Sequence, residues 1–205
     1  MLETEIEKRI KCIDAKMKHL FIPDLFVGGV VIDAGASSGR FIEKFRAEGF
    51  DNHIIAIEPN NNNIKTLMSK NFVNVEIVHK AMLGLNCPSK VIFTEVVGLS
   101  EWGSTTDVND TRGRAIAKQK LKYEVETITL DEIIKSSIDY LKIDIECSET
   151  EVVKTFTKEM AKSVRQISLE VHNGDELVLT EVLQGLGYIV LFQNGEIFAV
   201  RKELI

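Results

Sequence analysis

The amino-acid sequence predicts an α/β domain built on a mostly parallel sheet with helices on both faces. Two observations point to it. From about residue 30 onward, short apolar runs alternate with segments whose apolar residues recur at helical spacing, and such alternation calls for parallel strands joined by crossover helices. At the carboxyl end, YIVLFQ and EIFAVRK flank Asn194-Gly195, the dipeptide of a tight antiparallel hairpin, so the sheet gains one antiparallel strand there.

The elements follow in order. In the first twenty residues Leu2, Ile6, Ile10, Ile13, Met17 and Leu20 recur between charged residues, which predicts an amphipathic helix over residues 1–22 packed on the domain's side. VVIDAG (30–35) is a strand running into a turn, and Phe41, Ile42 and Phe45 mark a helix over 40–48. HIIAIEP (53–59), a helix in NNIKTLMSK and a strand in VEIVHKAM (75–82) continue the rhythm. Residues 83–129 break it: VIFTEVVG (91–98) and LKYEVETITL (121–130) read as strands joined by a polar loop. Asp131 opens a short helix before LKIDIECSE (141–149). Alternation there sets Leu141, Ile143 and Ile145 on one face and Lys142, Asp144 and Glu146 on the other. QISLEVH (166–172) is the next core strand, and residues 176–186 form the last helix.

The chain of 205 residues reads as one domain over 1–205, with its core over 30–205. A net charge of −6 carries no footprint for nucleic acid or an anionic membrane. The amino terminus has no apolar signal region, and no apolar run reaches spanning length. Cys12, Cys87 and Cys147 are odd in number and far apart, which fits reduced thiols and a cytoplasmic location.

Between the first strand and its helix stands Asp33-x-Gly35-x-x-x-Gly39. Glycines there let the backbone turn sharply and approach a ligand, with helix N–H groups facing it. The next strand ends in Glu58, nineteen residues beyond Gly39, where a carboxylate can accept both hydroxyls of a ribose. The dinucleotide pattern G-x-G-x-x-G is absent, and Asp33 would repel a pyrophosphate while suiting an ammonium. S-adenosylmethionine, with an amino group, a sulfonium, a ribose diol and no phosphate, fits these residues. The structural alternative is a tight turn with Asp33 capping the helix.

VVIDAGASSGRF, IIAIEPNNNNIKTL, the VETITLDEII run, DYLKIDIECSETEVV and QISLEVHNG with the later GLGYIVLF together resemble the FkbM-type S-adenosylmethionine-dependent methyltransferases. The resemblance implies a Rossmann-like class I methyltransferase fold, with a seven-stranded sheet and a reversed last strand. It also implies O-methylation of a hydroxyl on a small molecule, sugar or glycan. Carried over by position, Asp33, Gly35, Ala36 and Gly39 would cradle the methionine part of the cofactor. Glu58 and Pro59 would stand at the ribose, Lys80 and Ala81 near the adenine, and Asp144 and Glu146 before the methyl and the acceptor. Two departures stand out: Asp144-Ile-Glu146-Cys147-Ser148-Glu149 has Cys147 where the family has glycine, and little chain precedes the first strand to build a substrate lid.

Methyl transfer is an in-line displacement that needs an aligned acceptor and a base for its proton. Strand periodicity sets Asp144 with Glu146, and Glu170 with His172, in an acidic bowl holding one imidazole. His172 is the expected base because an unperturbed imidazole titrates near neutrality, and Glu146 is the second candidate. A structural histidine is the alternative for His172. A divalent cation held by some of Asp144, Glu146, Glu170 and Asn173 is a further option, ranked below a metal-free mechanism. Trp102 is open between stacking on a ligand and ordinary packing. The competing functions are a nucleotide-dependent oxidoreductase, which the glycine spacing and Asp33 disfavour, and a non-catalytic cofactor-binding protein.

Overall fold

The computed structural model describes residues 2–13, 19–96, 103–105, 120–172 and 174–205. Trp102 and Asn173 lie outside the described residues. The elements, in chain order, are α1 (Leu2–Arg9), β1 (Lys11–Cys12), β2 (Leu20–Phe21), β3 (Val30–Ala34), α2 (Arg40–Ala47), β4 (Ile54–Ile57), α3 (Asn61–Ser69), β5 (Val75–Val78), β6 (Ala81–Met82), β7 (Lys90–Val96), β8 (Gly103–Ser104), β9 (Lys120–Ile128), α4 (Leu130–Ile133), β10 (Ile138–Ile143), α5 (Glu149–Lys154), α6 (Lys158–Ser163), β11 (Gln166–Glu170), α7 (Glu176–Gly185), β12 (Tyr188–Gln193) and β13 (Glu196–Arg201).

Seven strands form the main sheet in the order β12-β13-β11-β10-β3-β4-β5. β5, β4, β3, β10 and β11 pair in parallel, while β13 runs antiparallel to both β11 and β12. The hairpin at Asn194-Gly195 therefore inserts its second strand beside β11, and both turn residues hold positive φ. Strand order reverses at β3 and β10, and in open α/β sheets the crevice beyond the carboxyl ends at such a point receives ligands.

Both faces are covered, as parallel strands require. On one face Ile32, Leu141, Ile143, Ile167 and Leu169 pack with Val152 and Val153 of α5, Met160 of α6 and Leu179 and Leu183 of α7. On the other, Val31, Ala56 and Tyr140 meet Phe41, Ile42 and Phe45 of α2 and Ile64 and Leu67 of α3. These clusters hold the strand ends in fixed register, which places the residues just beyond them.

The amino-terminal segment departs from the expected single helix over 1–22. α1 ends at Arg9, and Lys11 and Cys12 pair antiparallel with Phe21 and Leu20. Ile6, Leu20 and Ile22 still turn inward, packed against Phe198 and Val200, while Met17 lies outside the described residues. Backbone partners explain the break: Glu196 accepts the amides of His19 (2.6 Å) and Leu20 (3.0 Å), Gln166 accepts that of Ile22, and Tyr140 donates its hydroxyl to the Leu20 carbonyl. These bonds hold residues 20–22 extended, after a left-handed His19 (φ +59°).

VEIVHKAM likewise splits. β5 stays in the main sheet, and β6 leaves it to pair with β9. β7 and β9 pair antiparallel over seven residues each and form, with β6 and β8, a second sheet of four strands.

Candidate functional site

At the carboxyl ends of β3, β4, β10 and β11 the chain brings together the glycine loop, Glu58, the turn after β10 and His172. Asp33 and Lys142 are direct neighbours in register on β3 and β10. The Lys142 ammonium sits 2.9 Å from Asp33 Oδ1, 2.9 Å from the Gly35 carbonyl, and 3.9 Å from Asp144. Burial lowers the Lys142 pKa and the charges of Asp33 and Asp144 raise it, with a net shift upward. Lys142 therefore offsets Asp33 first and Asp144 second, whereas spacing along one strand pairs it with Asp144 alone. Among the described residues, Asp33 Oδ2 is buried and has no hydrogen-bond partner.

Each glycine of the loop has a packing reason. Gly35 has φ +80°, and a Cβ there would lie 1.7 Å from the Asp144 carbonyl oxygen. Gly39 has φ +84° at the start of α2, and its Cβ would meet Leu67 and Phe72 at 2.8 Å. Gly35 thus lets the β3 loop and the β10 turn cross, and Gly39 lets α2 close on α3. Ala36 is buried, and the amides of Gly35 and Ala36 both bond the Ile57 carbonyl.

Glu58 joins two loops. Its Oε2 accepts the Ser37 amide at 2.7 Å, and its Oε1 accepts the Asn60 amide at 2.8 Å and the Asn63 side chain at 3.3 Å. Burial raises its pKa, against those hydrogen bonds. Pro59 follows, half-buried, with its carbonyl 3.1 Å from His79 Nε2. Asn60 caps α3 by accepting the amides of Asn62 and Asn63. Among the described residues, Ser37 Oγ and Asn60 Nδ2 are also buried without hydrogen-bond partners. With Asp33 Oδ2, they give the glycine loop and its neighbour three orphaned polar atoms, and buried polar groups are otherwise almost always bonded.

The expected strand over 141–149 ends at Ile143, and Asp144 begins a turn in which Glu146 (φ +54°) and Cys147 (φ +82°) are both left-handed. Cys147 thus keeps the backbone that a glycine would adopt. Asp144 is partly exposed, and burial with the nearby charges of Glu170 and Glu149 pushes its pKa up to about 6, against the attraction of Lys142 and His172. His172 lies just past β11, its Nδ1 2.9 Å from Glu149 Oε1 and its Nε2 3.6 Å from Glu146 Oε2. Burial alone lowers its pKa, but the bond to Glu149 and the charges of Glu149, Glu146 and Asp144 push it up to about 9. At neutral pH the ring is then an imidazolium, with no lone pair for a proton.

Among the described residues, Asp144, Glu149 and His172 have donor atoms within 4.8 Å of one another. Holding a metal ion there would need a deprotonated imidazole nitrogen, against the upward push that the carboxylates give the His172 pKa.

Asp144, Glu146 and His172 therefore meet in one crevice wall, and Asp33, Gly35, Ala36, Gly39, Glu58 and Pro59 line its neighbouring loops. Ala81 begins β6 of the second sheet, and Lys80 stands in the bend just before it. Lys80 pairs with Glu126 at 3.2 Å and lines a cavity of about 470 Å³ with Lys90, Thr129 and Glu132, while Ala81 is buried beside Phe93 and Val125. Glu149 is the residue bonded to His172 and the turn that spacing missed. Its only sequence signal is its place at the end of the Asp144–Glu149 motif.

Strand order, the reversed strand β13 and the crevice at β3 and β10 define the Rossmann-like fold of class I methyltransferases. The family model described as methyltransferase FkbM domain matches residues 33–190, and the chain belongs to that family. Methyltransferase FkbM from Methylobacillus flagellatus KT superposes with a TM-score of 0.59 at 15% identity, covering 96% of this chain and 50% of that one. The chain thus spans half of that protein's length. An O-methyltransferase family protein from Burkholderia thailandensis gives a TM-score of 0.48 at 9% identity, over 88% of this chain and 53% of that one. No curated protein matches the chain.

Proposed function

We propose that the protein transfers a methyl group from S-adenosylmethionine to a hydroxyl of a small molecule, sugar or glycan. The observation that carries this reading is the convergence of the Asp33–Gly39 loop, Glu58, Asp144 and His172 at the carboxyl ends of adjacent strands. The three orphaned polar atoms fit the cofactor: a buried carboxylate oxygen suits an ammonium, and hydroxyl and amide groups suit a carboxylate or a ribose. When bound, S-adenosylmethionine supplies an electrophilic methyl on a sulfonium.

The chain's own residues do the rest. Glu58 retains acceptor capacity for a ribose hydroxyl while it fixes the glycine loop. Asp144, partly exposed, takes the proton of the attacking hydroxyl. Its pKa of about 6 leaves it ionised at neutral pH yet basic enough to share a proton in the transition state. His172, charged, orients Glu146 and offsets the carboxylates around it. The crevice groups are Asp144, Glu146, Glu149 and Glu170 against His172 and Lys142, a negative balance that favours uncharged acceptors over phosphates and nucleic acids.

The test is transfer of labelled methyl from S-adenosylmethionine over a panel of sugars, polyketides and lipids. Label should enter a hydroxyl-bearing acceptor and fall at least a hundredfold with Asp144→Asn, within the range for general-base loss. Incorporation that survives Asp144→Asn unchanged would remove the assigned base.

A further inference from the structure

Glu149 is the first residue of α5, is 2% exposed, and receives three donors on one atom. Its Oε1 accepts the Ile145 amide at 3.0 Å, the Cys147 amide at 3.3 Å and the His172 ring at Nδ1, 2.9 Å away. Both amides belong to the turn in which Glu146 and Cys147 hold φ of +54° and +82°. Left-handed backbone at two successive residues with side chains is strained. Such a turn persists when outside bonds fix it. A buried carboxylate receiving backbone N–H groups supplies strong, directed bonds of that kind. The same oxygen meets a ring that arrives from β11, so one atom ties together segments from two strands.

We infer that Glu149 is a positioning residue for methyl transfer, locking the turn that carries Asp144 and Glu146 to the His172 ring. The inference rests on the methyl-transfer reading of the site. Glu149 is too buried to meet an acceptor and acts through the groups it holds. A carboxylate only accepts, so Nδ1 carries the proton, and Nε2 is presented toward Glu146. The charged groups facing His172 are Glu149 from α5 and Asp144 and Glu146 from the turn, with Glu170 two residues back on β11. All are acidic. Loss of the Glu149 charge therefore weakens the imidazolium, and loss of its oxygen releases the turn.

The experiment is a pH titration of the four histidines by NMR in the full chain and in Glu149→Gln, with His172→Gln to assign the resonance. Glu149→Gln keeps an oxygen for the two amides and removes the charge. The expected result is a His172 midpoint lower by roughly one unit or more. The methyl-transfer pH profile should move with it, and kcat should fall about tenfold or more, with the KM for S-adenosylmethionine changed less than kcat. A midpoint and pH profile that do not move in Glu149→Gln overturn the inference, even where that variant is less thermostable. In the unaltered chain, Nδ1 should be protonated across pH 6–8. A His172 ring with bare Nδ1 overturns the inference without any variant. An unmoved titration in an active enzyme defeats this inference alone, whereas a moved titration in a chain that methylates no acceptor defeats the methyl-transfer reading beneath it.

Discussion

Single residues decide the shape of the crevice wall. Cys147 holds φ +82° where glycine would be unstrained. Relief of the left-handed backbone outweighs the extra freedom that glycine gives the unfolded chain. Cys147→Gly is therefore expected to stabilise the protein by about 0.5–1 kcal/mol, read from thermal melting; a lower melting temperature would contradict the strain. Gly35 behaves in the opposite sense. Its Cβ would lie 1.7 Å from a backbone oxygen, with φ at +80°, so Gly35→Ala should cost at least about 2 kcal/mol in denaturant unfolding. Glycine spacing made the loop legible in the sequence, but not the reason for it. That Gly35 faces the Asp144 carbonyl depends on a crossing of β3 past β10, more than a hundred residues apart in the chain. Glu149 was illegible for a similar cause: a carboxylate at a helix start reads as an ordinary first-turn acid until the preceding turn folds back onto it.

At the scale of elements, β10 shows what periodicity can and cannot read. Alternation located the strand and its inward Leu141 and Ile143, and it set Lys142 on the opposite face from them. It carried the strand through residue 149, whereas pairing stops at Ile143 because the Asp144 amide makes the last ladder bond, to Ala34, before the chain turns. Register between strands has no signal in one sequence, so Asp33 beside Lys142 could not be foreseen. Their pair is buried, with side-chain exposures of 0% and 4%. Lys142→Met should cost on the order of 3–5 kcal/mol, since it strands the buried Asp33 charge. The double variant Asp33→Asn with Lys142→Met should be more stable than Lys142→Met alone. Chemical unfolding of Asp33→Asn, Lys142→Met and the double variant checks this, and strict additivity would contradict a coupled pair. The amino-terminal segment teaches the same limit. Its apolar spacing did mark Ile6, Ile13 and Leu20, which are buried, but Glu196, Gln166 and Tyr140 are what turn residues 20–22 into extended chain.

For the whole molecule, His172, Glu58, Glu196 and Asp144 are shifted in the same direction. His172 is pushed up to about 9, so its stabilisation is complete below about pH 6.5, its unfolded value, and is lost as pH rises through the folded value. Glu58, Glu196 and Asp144 are raised mainly by burial. Each is harder to ionise folded than unfolded, so each also lowers stability as pH rises through its shifted range. Melting temperature is therefore expected to fall from about pH 6 to pH 9, and His172→Gln should flatten the alkaline part of that fall. A melting temperature that rises over this range would contradict the charge assignment. The layered sheet, its reversed strand and the crevice were legible in the sequence as a whole, because strand–helix rhythm and a hairpin dipeptide are local signals. The second sheet was only half legible, since β6 leaves the main sheet by a turn at Lys80 that no spacing announces. Calorimetric titration with S-adenosylmethionine and with NAD tests the proposed cofactor site at the carboxyl ends of β3 and β4. Saturable binding of one equivalent of S-adenosylmethionine, weakened at least tenfold by Glu58→Ala, is the expected result; binding of NAD with none of S-adenosylmethionine would contradict it.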